Sequence, residues 1–125
     1  MAVEKVFILG ASDKVDRYSH MAFKMLKDHQ HNVVPISARI STIDGDPVWK
    51  DLPSAFASNG SPDTLTMYVG PDVSSKLKDQ IIAASPKRVI FNPGSENEDL
   101  AAGLRRVGIE VVEACTLVLL RTGQF

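Results

Sequence analysis

Five short runs rich in apolar and β-branched residues recur along the chain, at 6–9, 33–36, 64–69, 88–91 and 109–112. None shows the clean alternation of apolar and polar residues that marks a strand with one wet face. Strands without it are those buried on both faces, and they belong to parallel sheets covered by helices on either side. Parallel neighbours are joined by long crossovers rather than tight turns. The segments between the runs are therefore expected to be helical.

The first such segment sets Tyr18, Met21, Ala22, Met25, Leu26 and His29 on one stripe at i, i+3, i+4, i+7 spacing, with Lys24, Lys27 and Asp28 elsewhere, as a sheet-covering helix requires. A second places Val73, Leu77, Ile81 and Ala84 at intervals of three or four, after Gly70-Pro71-Asp72 and before Pro86. Those flanks read as a start and a stop. A third opens with Ser95-x-x-Glu98 as a capping box, carries Leu100, Ala101, Leu104 and Val107 as its stripe, and ends on Arg105, Arg106 and a capping Gly108. Segment 38–62 is irregular, with a turn at Asp44-Gly45-Asp46-Pro47 and a short helix near 52–56; segment 115–120 is too apolar for exposure and reads as a final helical turn or a sixth strand, the turn being favoured. Strand and helix alternating throughout predict an α/β fold: an open, doubly wound, mainly parallel sheet of five or six strands with helices on both faces.

At 125 residues the chain is expected to form a single domain spanning 1–125. Fourteen Lys plus Arg stand against fifteen Asp plus Glu, a formal net charge of -1, so there is no broad basic footprint for nucleic acid or an anionic membrane. The one cysteine, Cys115, excludes an intramolecular disulfide and a cysteine-rich zinc cluster. No signal peptide or membrane-length apolar run is read. A cytoplasmic setting is the expectation.

In such a sheet, ligands bind at the strands' C-terminal edge. Four loops converge there. The first contains Gly10, Ala11, Ser12, Lys14, Arg17, Tyr18 and Ser19. It lacks the three-glycine dinucleotide fingerprint, so it is either a plain tight turn with solvated cations or an anion site built from helix-terminal amides, Ser12, Lys14 and Arg17. The second holds Ser37, Ala38 and Arg39 where NAD binders usually place an acid. A cation beside a hydroxyl suits a phosphorylated adenosine ribose, as in NADP or coenzyme A, although a lone loop arginine is commonly just exposed. The turn at Asn92-Pro93-Gly94 precedes a helix start crowded by Glu96, Glu98 and Asp99. It is either a stiff turn or a contact for an uncharged part of a ligand through its backbone and Asn92.

The histidines and the cysteine offer no catalytic constellation. His29 and His31 end the first helix, where a cationic ring suits the dipole, and no carboxylate or cysteine stands near them at metal-ligand spacing. His20 adjoins the first loop with nothing local to orient it as an acid or base. Cys115 follows the last strand, and packing is favoured over reactivity there. No metal site and no catalytic residue is assigned.

Four stretches carry a resemblance over essentially the whole chain: Val6-Phe7-Ile8-Leu9-Gly10-Ala11-Ser12; Arg17-Tyr18-Ser19; the run from Arg88 through Asn92-Pro93-Gly94-Ser95 to Asn97; and the run from Gly108 through Ala114-Cys115-Thr116 to Val118. Their order and spacing resemble the small stand-alone CoA-binding proteins, a family similar to the CoA-binding domain of the succinyl-CoA synthetase α subunit. The resemblance implies a Rossmann-like domain binding coenzyme A or an acyl-CoA. Gly10, Ala11 and Ser12 would lie near the diphosphate, Ser37 to Arg39 near the adenosine, and Val69, Gly70, Pro71, Asn92, Pro93 and Gly94 along the ligand, with Cys115 toward the thiol end. Many relatives carry Asn-Pro where this chain has Ser37-Ala38. The synthetase's phosphorylated histidine belongs to a further domain, so ligase activity is not implied. The expected function is a non-catalytic or regulatory binding protein, alone, as a homodimer or with a protein partner. An NADP-dependent oxidoreductase or a small acyl-transfer enzyme using Cys115 or His20 is the alternative.

Overall fold

In the computed structural model, which describes residues 2–125, the chain runs β1 (Lys5–Leu9), α1 (Tyr18–Asp28), β2 (Asn32–Ile36), β3 (Thr42–Ile43), β4 (Asp46–Pro47), α2 (Leu52–Asn59), β5 (Thr64–Met67), α3 (Pro71–Ser74), α4 (Lys78–Ala84), β6 (Arg88–Phe91), α5 (Glu98–Arg106), β7 (Glu110–Glu113) and α6 (Thr116–Arg121). The five apolar runs become one all-parallel sheet in the order β2-β1-β5-β6-β7. Outside β2, Trp49 forms a single parallel bridge to Ile36, donating to Pro35 O at 3.0 Å and accepting from Ser37 N at 2.9 Å. This one-residue strand fills the outer place in the six-strand Rossmann order.

The inner strands β1, β5 and β6 bury both faces because helices lie on both, whereas the edge strand β7 stays partly exposed. Phe7, Leu9, Val34, Ile36, Leu65, Met67, Val89 and Phe91 pack with Leu52, Ala55, Ile81, Ala84, Leu100, Ala101 and Leu104 of α2, α4 and α5. On the opposite face Val6 and Ile8 pack with Phe23 and Leu26 of α1, Leu120 of α6 and Ile43 of the β3–β4 hairpin. That hairpin turns on Asp44 and Gly45, whose φ values of 49° and 86° are the left-handed pair a type I′ turn needs.

Several local expectations change. The buried face of α1 is Ser19, His20, Ala22, Phe23 and Leu26, while Tyr18 and Met21 face outward. The hairpin and α6 pack on α1 as well as the sheet, which rotates the covered arc away from the simple apolar stripe. The helix expected across 73–84 is two, α3 and α4, because Asn97 Nδ2 donates to the hydroxyls of Ser74 and Ser75 at 2.9 and 3.0 Å and the chain tightens there. The capping box does not form, since Ser95 Oγ donates to Asn92 O at 2.7 Å. Asn97 caps α5 instead, accepting from Leu100 N at 3.1 Å. Val107 is exposed. Gly108, at φ 86°, ends α5 as expected: its N–H reaches Arg105 O and that of Ile109 reaches Leu104 O, the Schellman pattern.

His31 is the other correction. It is not a cationic ring at a helix end but a buried one at the start of β2. Its Nδ1 accepts from Glu4 N at 3.0 Å, which leaves the neutral ring's proton on Nε2, a buried atom with no hydrogen-bond partner. Burial holds its pKa below the ordinary 6.5, against the pull of the Glu4 carboxylate. The unfolded chain therefore takes up this proton first as pH falls, and the contribution to stability is full above about 6.5 and declines below it. His31→Asn keeps an acceptor for Glu4 N and removes the titration. Urea unfolding followed from about pH 7.5 to pH 5 is expected to show a shallower loss of stability in that variant than in the wild type.

Candidate functional site

All five strands run the same way, so the loops after β1, β2, β5 and β6 leave one edge of the sheet. The chain turns outward in opposite directions from β1, with β2 on one side and β5 on the other, and a crevice opens at such a switch point. A cavity of about 800 Å³ is found there, within the roughly 300–1,000 Å³ usual for cofactor sites. Its wall collects Gly10, Ala11, Ser12, Lys14, Arg17, Tyr18 and Ser19 from the first loop, Ser37, Ala38 and Arg39 from the second, and Val69, Gly70 and Pro93 from the other two.

The turn at Gly10 shapes this wall. Its φ is 94°, and a Cβ there would lie 2.9 Å from Val69 Cγ1 and 3.2 Å from the Tyr68 carbonyl. Only glycine permits that approach of the β1 loop to the end of β5. The N–H groups of Gly10 and Ala11 both donate to Ile36 O at 3.0 Å, tying the same loop to the end of β2. The chain then enters α1 through Arg17, whose side chain makes no cap, and no acid stands in the first turn. A helix cannot satisfy its own first amides, and these stand at the cavity beside Lys14 and Arg17. By contrast α2 is capped by Asp51 and α5 by Asn97.

Four expected site residues lie outside this wall: Pro71, Asn92, Gly94 and Cys115. Pro71 is the first residue of α3. Asn92 does not turn toward a ligand; it is buried, its Nδ2 donates to Thr66 Oγ1 at 2.7 Å and Met67 O at 2.9 Å, and its Oδ1 accepts from Thr116 N at 2.9 Å. Gly94 N donates to Glu96 Oε1 at 2.8 Å, so the turn's amide is occupied by the chain's own carboxylate. Cys115 is half-buried and stands at the N-terminal boundary of α6.

Other wall residues had not been anticipated: Lys50, Asp51, Tyr68 and Gln80. Lys50-Asp51 had a usable signal, since Asp51 before Leu52-Pro53 marks a helix start at the edge where ligands bind. Gln80 had none, because the break between α3 and α4 resets the helical phase. Tyr68 has a buried hydroxyl that faces Thr116 and Thr66 without a well-formed hydrogen bond, and burial pushes its pKa up to about 12. It is a neutral phenol at physiological pH.

His20 is oriented after all. Its Nδ1 lies 2.9 Å from Ser12 O and its Nε2 3.5 Å from Asp44 Oδ2. It sits behind the first loop, not on the cavity wall.

Cations outnumber acids around the crevice: Lys14, Arg17, Arg39 and Lys50 against Asp13 and Asp51. Cations, open helix amides and the hydroxyls of Ser12 and Ser37 are the donor set that a phosphate-bearing ligand requires. Residues 4–121 match the family described as CoA binding domain. The chain belongs to the CoA-binding domain family. It is similar over its full length to an uncharacterized protein of solved structure, with 38% identity, a TM-score of 0.92 and 100% of both chains covered. Its fold also matches a hypothetical protein from Pyrococcus horikoshii OT3 (18% identity, TM-score 0.84, covering 94% of this chain and 81% of that one). A protein from Thermus thermophilus matches likewise (20% identity, TM-score 0.82, covering 98% and 91%). Among the described residues, no cluster of three or more His, Cys, Asp or Glu is placed to hold a metal, and no helix is long and apolar enough to cross a membrane.

The Asn92 geometry yields a stability test. Asn92→Ala strands a buried Thr116 N–H and takes a donor from Thr66 Oγ1 and Met67 O, so it is expected to lower the unfolding free energy by about 2–4 kcal/mol in urea titration. A loss under about 1 kcal/mol would show the network to be dispensable.

Proposed function

We propose that this protein binds coenzyme A, or an acyl-CoA, in the crevice between β1 and β5, as a non-catalytic or regulatory binding protein. The observation that carries the reading is the meeting of Lys14, Arg17, Arg39 and Lys50 with the uncapped start of α1 on one cavity wall. In this reading the first loop and Lys14 and Arg17 face the diphosphate. Ser37 and Arg39, standing where NAD binders carry an acid, face a phosphorylated ribose.

A binding role is supported by how the potentially reactive groups are engaged. The His20 Nδ1 is bonded to a backbone carbonyl, Cys115 lies off the wall, and the Tyr68 phenol is held protonated. A cytoplasmic setting, where CoA esters are used, accompanies this reading, and a protein partner or second copy would read the ligand's presence.

Thermal-shift titration with CoA, dephospho-CoA, NADP and NAD tests it, because a ligand specific to the folded state adds about 2.7 kcal/mol at a hundred times its Kd. CoA is expected to stabilise most, dephospho-CoA less and NAD not at all. Arg39→Gln is expected to weaken CoA about tenfold, the scale of one charge-assisted hydrogen bond, and to remove its advantage over dephospho-CoA. Stabilisation by NADP alone would overturn the proposal in favour of an oxidoreductase.

A further inference from the structure

Behind the cavity wall, one buried polar ring joins three segments that are distant in sequence. His20, on the first turns of α1, is 2% exposed. Its Nδ1 stands 2.9 Å from the carbonyl oxygen of Ser12. A carbonyl only accepts, so Nδ1 carries the proton of that bond. The other edge of the ring points away from the loop, with Nε2 3.5 Å from Asp44 Oδ2 at the tip of the β3–β4 hairpin. With the proton on Nδ1, Nε2 carries only a lone pair and makes no hydrogen bond to that carboxylate. The hairpin is held to α1 at two further points, Lys27 paired with Asp46 and Ile43 buried against Phe23 and Leu26.

The hairpin continues directly from the segment bearing Arg39, and Ser12 belongs to the loop bearing Lys14. These are the two cationic walls of the cavity. We propose that His20 is a positioning residue for ligand binding: its Nδ1 fixes the Ser12 loop to α1, the helix to which the hairpin is also held, and thereby sets the spacing of the two walls. The proposal rests on the CoA reading for its ligand, but the anchoring it describes exists without one. An apolar residue would fill the same space, yet it would leave the Ser12 carbonyl without its donor and the loop without a fixed height over α1.

The two halves of the ring are separable by substitution. His20→Asn places an amide nitrogen where Nδ1 stands and keeps the Ser12 bond alone. His20→Gln places its nitrogen near Nε2, so it stays polar but loses the Ser12 bond. His20→Leu keeps neither. CoA affinity is measured by calorimetry, and amide hydrogen exchange over residues 11–17 is followed in the ligand-free protein. His20→Leu and His20→Gln are expected to weaken CoA about tenfold and to speed exchange in that loop, while His20→Asn holds both within about threefold of wild type. The Asn and Gln pair decides the matter if the leucine variant does not fold. Loop exchange equal to wild type in His20→Gln, or as fast in His20→Asn as in His20→Gln, would overturn the anchoring. Loop exchange as expected, with CoA affinity unchanged in His20→Gln, would overturn the positioning role. A wild type that binds no CoA while its loop exchange follows the expected pattern would overturn the CoA reading and support the anchor.

Discussion

The architecture of the sheet's C-terminal edge depends on a single buried amide. Thr66 lies in the middle of the central strand and is fully buried, as is Thr116 at the start of α6. Two hydroxyls in such a place are costly unless they are paired. They are 2.8 Å apart, and Asn92 closes the set by donating to Thr66 and to the last carbonyl of β5 while accepting from the backbone of Thr116. Its own carbonyl holds Ser95. One side chain thus fixes the end of β5, the exit of β6 and the entry to α6. A network of this kind is stabilising only when every member is satisfied, which ties the geometry of one half of the edge to the fold as a whole.

That gives the edge two unlike halves. Around β5, β6 and α6 the polar groups are used by the protein: Asn92, Thr66 and Thr116 in the interior, and Gly94 N at the surface, where it meets Glu96. Around β1, β2 and the hairpin they face the crevice. There the backbone amides entering α1 have no capping side chain, and cations from three separate segments converge. The rigid half is a fixed wall, and the gripping half is positioned against it by the tight passage of Gly10 beneath Val69 and by the paired bonds to Ile36 O.

The features legible in the sequence are those set by neighbours in the chain. Consecutive apolar residues marked all five strands, and 88–91 coincides with β6. The run 64–69 overshoots β5 because Tyr68 and Val69 are apolar for a different reason: they have left the sheet and line the cavity. Gly108 was readable because a Schellman cap is local. Features set by distant partners were not. Ser95 has the spacing of a cap, but its hydroxyl is taken by Asn92; Asn97 caps α5 and at the same time reaches back 23 residues to break α3 from α4. His20 looked unoriented because its anchor is a backbone carbonyl in the preceding loop, which no side-chain pattern announces. The first two loops could be placed at the crevice because topology alone carries the strand ends to one edge. Asn92 was assigned to the ligand by the same logic, which does not distinguish a polar group facing the crevice from one facing the core.

A chain with a net charge of -1 is a plausible carrier of a multiply phosphorylated ligand only if its field is organised locally. Four cations stand around one concave wall with two acids between them. Within a crevice, charges of one sign reinforce each other at distances shorter than the ~8 Å screening length of physiological salt, whereas those spread over a convex surface are screened apart. Asp13 and Asp51 offset only half of the cations' charge and leave the wall with a net positive sign. At contact range Lys14 and Arg17, backed by the open end of α1, still present a positive face. On the proposed reading, this attraction is felt most by an anion narrow enough to enter the crevice.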